Sequence, residues 1–466
     1  MRSILILPCV LASCVVGPAY QRPDSPMPEK WKEGATTKND QPLPDEWWKL
    51  FGSSKLNGLV SQALNSNQDL AGARARVETA RALIGVKRSE WFPQFGASGG
   101  AGIQRQSASS FGANLPPQFG SVTDMLDREN YKAALDMSYE LDLWGRVKRA
   151  VEGAKASARA ADESVMTQRL IIAAEVARNY FLLRSLDVQQ RVVNETIALR
   201  IEALKLQQSR FDGGMANEMD VTRARTEHEL TKADLAALER QRGSTEHALA
   251  VLCGQAPSSF RVAVEATLGA PPKIPAGMPS QLLASRPDVR AAEAELQAAN
   301  AEIGVAKASF FPAFKLTGSA GLDSVTSKDF LEWENRVLSI GPSVTLPVFQ
   351  GFKLKSNLRA AQSRYDEALA KYRQTILVAL REVEDAMLDL QSLIRQRTAI
   401  EAAMKSADET SRLARVRYEK GLASYFEVVE ADRTVLTTKL TLAQIDGQRS
   451  VSAVLLAKAL GGGWKR

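Results

Sequence analysis

The chain of 466 residues is poor in most of what metal sites and thiol chemistry are built from, with two histidines and three cysteines. A protein metal cage needs several Cys, His or carboxylate ligands at short spacing. His228 and His247 have no such cluster around them and read as solvated helix residues. No hydrolase elbow or P-loop is present. The Gly-rich stretch Gly96 to Gly102 lacks the following helix that a phosphate cradle requires. No run of about 18 apolar residues occurs, so no helix is expected to cross a membrane. These absences argue against an enzyme and give no cofactor or metal to look for.

Charge of one sign is also missing as a block. The net charge of +7 comes from 60 basic and 53 acidic residues, interleaved in stretches such as Arg223 to Glu229 and Arg359 to Arg373. Mixed signs at helical spacing mark solvated helix faces, and no basic patch stands clear for nucleic acid. A mean hydropathy of −0.19 with 45% apolar residues fits an ordered chain able to bury a core.

What is present begins at the N-terminus. Arg2, an apolar run from Ile4 to Ala12 and then Leu11-Ala12-Ser13-Cys14 read as an export signal over residues 1–13 ending in a lipobox-like motif. Such a cysteine receives acyl chains on its thiol and its new amine, which anchors firmly. Cys14 is therefore the expected site of a covalent lipid, and Val15 after it, where Asp is absent, points to the outer membrane. Cys9 leaves with the signal and Cys253 then has no partner, so no disulfide within the chain is expected.

The body of the chain is duplicated. Asp69 to Gly102 lies on Asp288 to Gly321 without a gap: Ile84-Gly85-Val86 falls on Ile303-Gly304-Val305, and Trp91-Phe92-Pro93 on Phe310-Phe311-Pro312. Further on, Arg210-Phe211-Asp212-Gly213-Gly214-Met215-Ala216 falls on Arg417-Tyr418-Glu419-Lys420-Gly421-Leu422-Ala423. The order in each half reads helix, two strands, very long helix, glycine turn, helix. The expected parts are an anchor and equatorial segment over 14–65, a first repeat over 66–254, a Pro-rich link over 255–285 and a second repeat over 286–466.

Proline is absent between Pro117 and Pro257 and again after Pro347, and both stretches are rich in helix formers. Ile376, Ala379, Val383, Ala386, Leu390 and Leu393 step by three and four, as do Leu170, Ala173, Ala177 and Tyr180. That is a coiled-coil seam. The first long helix, from near Val147 to Arg210, would reach close to 100 Å at about 1.5 Å per residue.

Each half also holds two alternating runs. Tyr131, Ala133, Leu135, Met137, Tyr139 and Leu141 alternate with Lys132, Ala134, Asp136, Ser138, Glu140 and Asp142. Phe95, Ala97, Ala101 and Ile103 form a second apolar face; Phe314, Leu316, Ala320 and Leu322 a third; Leu338, Ile340, Val344, Leu346 and Val348 a fourth. A soluble half-buried sheet shows the same pattern, but the lipid anchor and the tilted-strand length favour a membrane. Four strands cannot close a transmembrane barrel, which takes at least about eight, and sheet edges cannot face lipid. Several chains must share one barrel, with Asp136, Glu140 and Asp142 toward a water-filled lumen. Arg105 to Glu129 and Ser324 to Asn335 read as exposed loops.

With Cys14-Val15-Val16-Gly17-Pro18-Ala19-Tyr20, Arg22-Pro23, Trp47-Trp48 and Ser285-Arg286-Pro287-Asp288-Val289 added to the paired repeats, the mature chain resembles the TolC-like outer membrane efflux protein family, in its lipidated OprM-like (NodT-type) branch. The resemblance implies an α+β membrane protein. Three chains would form an α-helical coiled-coil tunnel joined to a transmembrane β-barrel of four strands per chain, twelve in the trimer. It implies a channel of the outer membrane that passively conducts drugs or other small molecules. Its partners would be a periplasmic adaptor (membrane fusion) protein and an inner-membrane pump of the resistance-nodulation-division class.

The resemblance also assigns residues. Gly213, Gly214 and Met215, with Gly421 and Leu422, would form the adaptor-contacting tips. Phe426 and Glu430, four apart on one helix face, match the positions of an apolar ring and a carboxylate ring that constrict the tunnel, where the OprM-like branch carries Leu and Asp. Three Glu430 side chains packed together would repel one another. Arg417 and Tyr418 match residues that brace neighbouring helices. Two other readings stay open at this level: a lipidated coiled-coil scaffold that conducts nothing, and a channel serving protein secretion through an ABC pump.

Overall fold

The structure, a computed structural model, describes residues 15–25, 27–33, 43–105 and 127–463. Cys14 and most of the loop expected between Arg105 and Glu129 lie outside the described residues. In chain order the elements are α1 (Ser54–Ser66), α2 (Gln68–Ser89), β1 (Gln94–Arg105), β2 (Asp127–Leu141), α3 (Arg146–Asp212), α4 (Glu218–Leu252), α5 (Leu282–Ser285), α6 (Pro287–Ala308), β3 (Ala313–Ser324), β4 (Arg336–Thr345), α7 (Lys353–Glu419) and α8 (Tyr425–Ala459).

The duplication is legible in element lengths. Helices α2 and α6 each have 22 residues, β1 and β3 each 12, α3 and α7 each 67, and α4 and α8 each 35. Only the second strands differ, at 15 residues for β2 and 10 for β4. Helix α3 at 67 residues spans about 100 Å. Along its seam Leu170, Ala173, Ala177 and Tyr180 are buried, as are Ile376, Ala379, Val383, Ala386 and Leu393 on α7, with Leu390 half-buried.

Two compact units share the chain, and each draws on both repeats. The first takes Glu78–Ala160, Glu293–Ala370 and the segment up to Pro23. It contains one antiparallel sheet in the order β1-β2-β3-β4, so β2 of the first repeat pairs directly with β3 of the second. Its register puts Phe95, Leu135, Ala320 and Leu338 on one face with other apolar residues. Phe95 and Leu338 are 65% and 80% exposed, and Ile103 and Ile340 are exposed on the same face. An exposed apolar sheet face of this extent is one that meets something other than water. The other face carries Ser98, Asp136, Ser319 and Ser339.

The structure corrects two strand expectations. Strand β4 ends at Thr345, so Leu346 and Val348 lie beyond it. Pro347 between them has no N–H to give to a ladder. Asp142, expected on the polar strand face, lies past the end of β2 and serves the start of α3 instead. Its Oδ1 and Oδ2 accept from the Val147 and Lys148 N–H groups at 3.0 and 2.7 Å, capping the start of α3. Glu140 is also engaged, accepting from Arg146 Nε at 2.8 Å, while Arg146 Nη2 bonds Glu90.

The N-terminal strap belongs to this unit. The Val16 N–H donates to the Trp144 carbonyl at 3.1 Å, and Gly17 packs so closely on Gly304 that a Cβ there would come within 2.6 Å of the Gly304 Cα. Arg22 bonds Glu293 at 2.7 Å and Asn300 Nδ2 donates to the Pro18 carbonyl at 3.1 Å.

The second unit takes Asp24–Val77, Ala161–Ala292 and Lys371–Arg466. Its core joins Trp47, Trp48, Leu56, Val60, Leu183, Leu249 and Val454. Cys253 is buried in it, where desolvation pushes the thiol up to about 11. Arg286 of the Ser-Arg-Pro-Asp motif is buried as well. Burial alone would lower its pKa, but hydrogen bonds and attraction from Asp288 and Glu382 outweigh that and leave it raised. Its Nη1 also donates to the Ala459 carbonyl at 2.9 Å, holding the end of α8.

Replacing the α3 cap, Asp142→Ala, should lower stability by about 1 kcal/mol. A lower thermal midpoint of the purified protein is the measurement; an unchanged midpoint would show that water replaces the cap without loss.

Candidate functional site at the helix tips

Helices α3 and α7 end in the same device. The Gly214 N–H bonds the Phe211 carbonyl and the Met215 N–H the Arg210 carbonyl; Gly421 and Leu422 bond Tyr418 and Arg417 in the same way. This is the Schellman arrangement, which needs a left-handed residue after the helix. Gly214 and Gly421 supply it, with φ of 70° and 73°. Gly213 is not left-handed, and Lys420 stands at its place in the second repeat, so the turn geometry depends on the second glycine alone. Met215 and Leu422 are 77% and 68% exposed at these turns.

Beyond the turns, α4 begins under an Asn217 cap and α8 at Tyr425. Tyr425, Val428, Val429 and Ala431 pack with Ala224 and Ala414 in a small core of their own. Burial first, then the Asp432 carboxylate nearby, pushes the Tyr425 phenol up to about 12.

The four residues expected at a gate fall in one region and take different partners. Tyr418 donates to Gln207 Oε1 of α3 at 2.9 Å and packs under Arg210, so it ties α7 to α3. Arg417 lies 3.4 Å from Glu427 and reaches the Leu422 carbonyl, so within the chain it braces the α7–α8 turn. Phe426 is half exposed, with the Arg223 guanidinium 5.1 Å from its ring centre. Glu430 pairs with Arg433 at 2.8 Å. Mutual repulsion among Glu430 side chains, expected from the sequence, therefore meets a counter-charge within the same chain.

Sequence reasoning missed the residues that organise this region. Glu227 on α4 is 5% exposed and accepts from Arg433 Nε of α8 at 2.9 Å. On its other side Arg200 of α3 pairs with it at 2.9 Å and also bonds Thr231. A buried carboxylate between two guanidiniums joins three helices, and Arg433 extends the chain of charge to Glu430.

A groove of about 410 Å³ runs between the starts of α4 and α8, lined among others by Met219, Arg223, Glu227, Phe426, Glu430 and Arg433. Met219 and Phe426 hold the same place in their helices, as do Arg223 and Glu430, because α4 and α8 start at Glu218 and Tyr425. The signal that would have found Arg223 was the repeat itself: carried past the glycine turns, it sets Arg223 where the second half has Glu430. No such signal marks Glu227, since the second half has Thr434 there.

This region is organised by helix turns and ion pairs. Its glycine-turned tips, paired charges and half-exposed apolar rim belong to a helical conduit, and the four-stranded sheet with one exposed apolar face belongs to a shared membrane barrel. The sequence profile described as "Outer membrane efflux protein" matches residues 59–255 and 278–462. The chain belongs to the outer membrane efflux protein family.

It is similar to the "Toluene efflux pump outer membrane protein TtgI" of Pseudomonas putida, 32% identical over 98% of this chain and 96% of that one. It is also similar to the "Probable outer membrane lipoprotein SilC" of Salmonella typhimurium, 30% identical over 98% of this chain and 97% of the relative. The solved structure of the outer-membrane channel OprN superposes with a TM-score of 0.85 at 30% identity, over 97% of this chain and all of that one. The chain is thus an outer membrane channel component of an efflux system, in the fold of the TolC-like channels.

The Glu227→Gln change removes the charge between Arg200 and Arg433. It should weaken local stability of the tip by about 2 kcal/mol, less than a fully buried pair because Arg433 is partly exposed. The expected reading is amide hydrogen exchange about 30-fold faster at the starts of α4 and α8. Unchanged exchange would show that apolar packing alone holds the tip.

Proposed function

We propose that three copies of this chain form one passive conduit across the outer membrane, fed by a periplasmic adaptor and an inner-membrane pump of the resistance-nodulation-division class. The observation that carries this reading is the sheet. Strands β1 and β4 each pair with one neighbour only among the described residues, and an edge cannot face hydrocarbon unpaired. Joining β4 of one copy to β1 of the next in a closed ring of three removes every edge and gives twelve strands. The exposed apolar face then meets lipid, and the face with Asp136 lines water.

In this reading, Phe426 and Glu430 narrow the tunnel near its periplasmic end, and Gly213, Gly214, Met215, Gly421 and Leu422 meet the adaptor. Arg417 stiffens the α7–α8 turn, and Tyr418 holds α7 against α3. Opening follows when adaptor contacts favour a dilated state by differential binding. The chain performs no reaction; the pump supplies the energy.

The cargo is small molecules. Support comes from TtgI, whose name assigns it to toluene efflux. Cys14 carries the covalent lipid in this proposal, supported by its lipobox-like setting and by SilC, named as a lipoprotein. The strap from Val16 to Arg22, part of the first unit, then follows immediately after the anchor, tied to Trp144 and Glu293.

Two experiments test these assignments. The double change Phe426→Ala with Glu430→Ala should raise single-channel conductance in planar bilayers; equal conductance removes the gate assignment, and no conductance from the wild type removes the channel itself. Separately, Cys14→Ser should abolish incorporation of labelled fatty acid, and continued labelling would refute lipidation at that residue.

A further inference from the structure

Between Lys132 and Glu140 the polar face of the sheet carries its charges in opposed pairs, with one exception. The register sets Lys132 beside Asp323 and Glu140 beside Lys315. Between these levels Gly96, Asp136, Ser319 and Ser339 align in one row across all four strands. Asp136 is the only charged member of that row.

Its environment is built to hold a carboxylate. Asp136 Oδ1 accepts from Ser319 Oγ of β3 at 2.8 Å, and Oδ2 accepts from Ser98 Oγ of β1 at 2.9 Å. Both oxygens are thus fixed, one from each flanking strand. Cross-strand neighbours stand about 5 Å apart, and here those neighbours are Gly96 and Ser319. The nearest lysine along the same strand, Lys132, is four residues away, about 13 Å along the backbone. Beside the row on this face, the inner strands carry the small residues Ala134, Ser138, Thr317 and Gly321, and the longer Gln94 and Val337 stand only on the outer strands. The carboxylate therefore stands out from a low wall with its direction fixed by two hydroxyls.

We propose that Asp136 sets the charge preference of the β-barrel lumen. The inference rests on the trimeric barrel proposed above. Three copies place three fixed carboxylates at one level of a water-filled ring with low-dielectric walls, which focuses their field on the lumen. Cations are drawn to that level and anions are held back, independently of the helix tips. Ser98 and Ser319 are positioning residues that keep the carboxylate aimed.

The test is the reversal potential of trimers in planar bilayers under a potassium chloride gradient near 0.01 M, where the Debye length is about 30 Å. The background is Phe426→Ala with Glu430→Ala, so that the tip carboxylate does not contribute. Asp136→Asn should lower the potassium-to-chloride permeability ratio by about two-fold or more while channels still insert. Ser339→Asp, which adds a carboxylate to the same row, should raise it. An unchanged ratio in Asp136→Asn channels overturns the proposal. Should Asp136→Asn fail to insert, Ser339→Asp decides alone: a raised ratio supports the row as the selecting level, and an unchanged one overturns it. Absence of any channel from the unsubstituted protein would instead remove the conduit reading.

Discussion

The rest of this structure depends on one constraint: a backbone N–H or C=O in hydrocarbon must find a partner within protein. Four strands in the order β1-β2-β3-β4 satisfy the inner two completely and leave the outer edges of β1 and β4 for another copy. The duplication answers part of that demand within the chain, because β2 and β3 come from different repeats yet pair over eleven positions from Tyr131 to Leu141. Each repeat alone would give a hairpin, which is marginal in isolation. Two repeats give a sheet broad enough to separate an apolar face from a polar one, and shared closure completes it.

The same economy governs the helices. A helix of 67 residues with a weakly apolar stripe holds its place through long contact with neighbours rather than through a deep core. Small seam residues such as Ala173, Ala177 and Ala379 let the backbones approach closely, and all three are nearly inaccessible. At the tips the seam ends and charge takes over: Arg200, Glu227 and Arg433 join α3, α4 and α8 through one carboxylate. Apolar packing is indifferent to small sliding along a helix, whereas one carboxylate held by guanidiniums from two other helices fixes register.

Much of this was legible in the sequence, for identifiable reasons. Element order, the strand faces and the long helices followed from periodicity and from the absence of proline, and the matching lengths of α3 and α7 reflect the same duplication that aligned their glycine turns. The turns were legible because only glycine adopts the left-handed conformation cheaply, as Gly214 and Gly421 do. Asp142 was misplaced because alternation does not announce where a strand stops; the carboxylate that continued the polar face by parity instead captures the first N–H groups of α3. Glu227 was hidden for a different reason. A buried ion pair is a contact between distant residues, and one glutamate among many on a charged helix has no local mark.

The pairing of Glu430 with Arg433 changes what a narrowing at this place requires. A ring of bare carboxylates would open by its own repulsion and would need an external force to stay shut. A carboxylate already held by an arginine that also grips buried Glu227 is stable where it stands, and moving it disturbs the contact between α4 and α8. Dilation then costs the rearrangement of an ion network in each copy, and a partner that favours the open form must supply that difference through its own contacts. Shifting such an equilibrium from nearly closed to nearly open takes roughly 5.5 kcal/mol of differential binding. Spread over three copies and two exposed tips on each, this is about 1 kcal/mol per tip, within reach of side chains such as Met215 and Leu422 that stand mostly bare. In the proposed conduit, regulation would need no catalytic group: the contacts that hold the narrowing are ones a partner would have to outcompete.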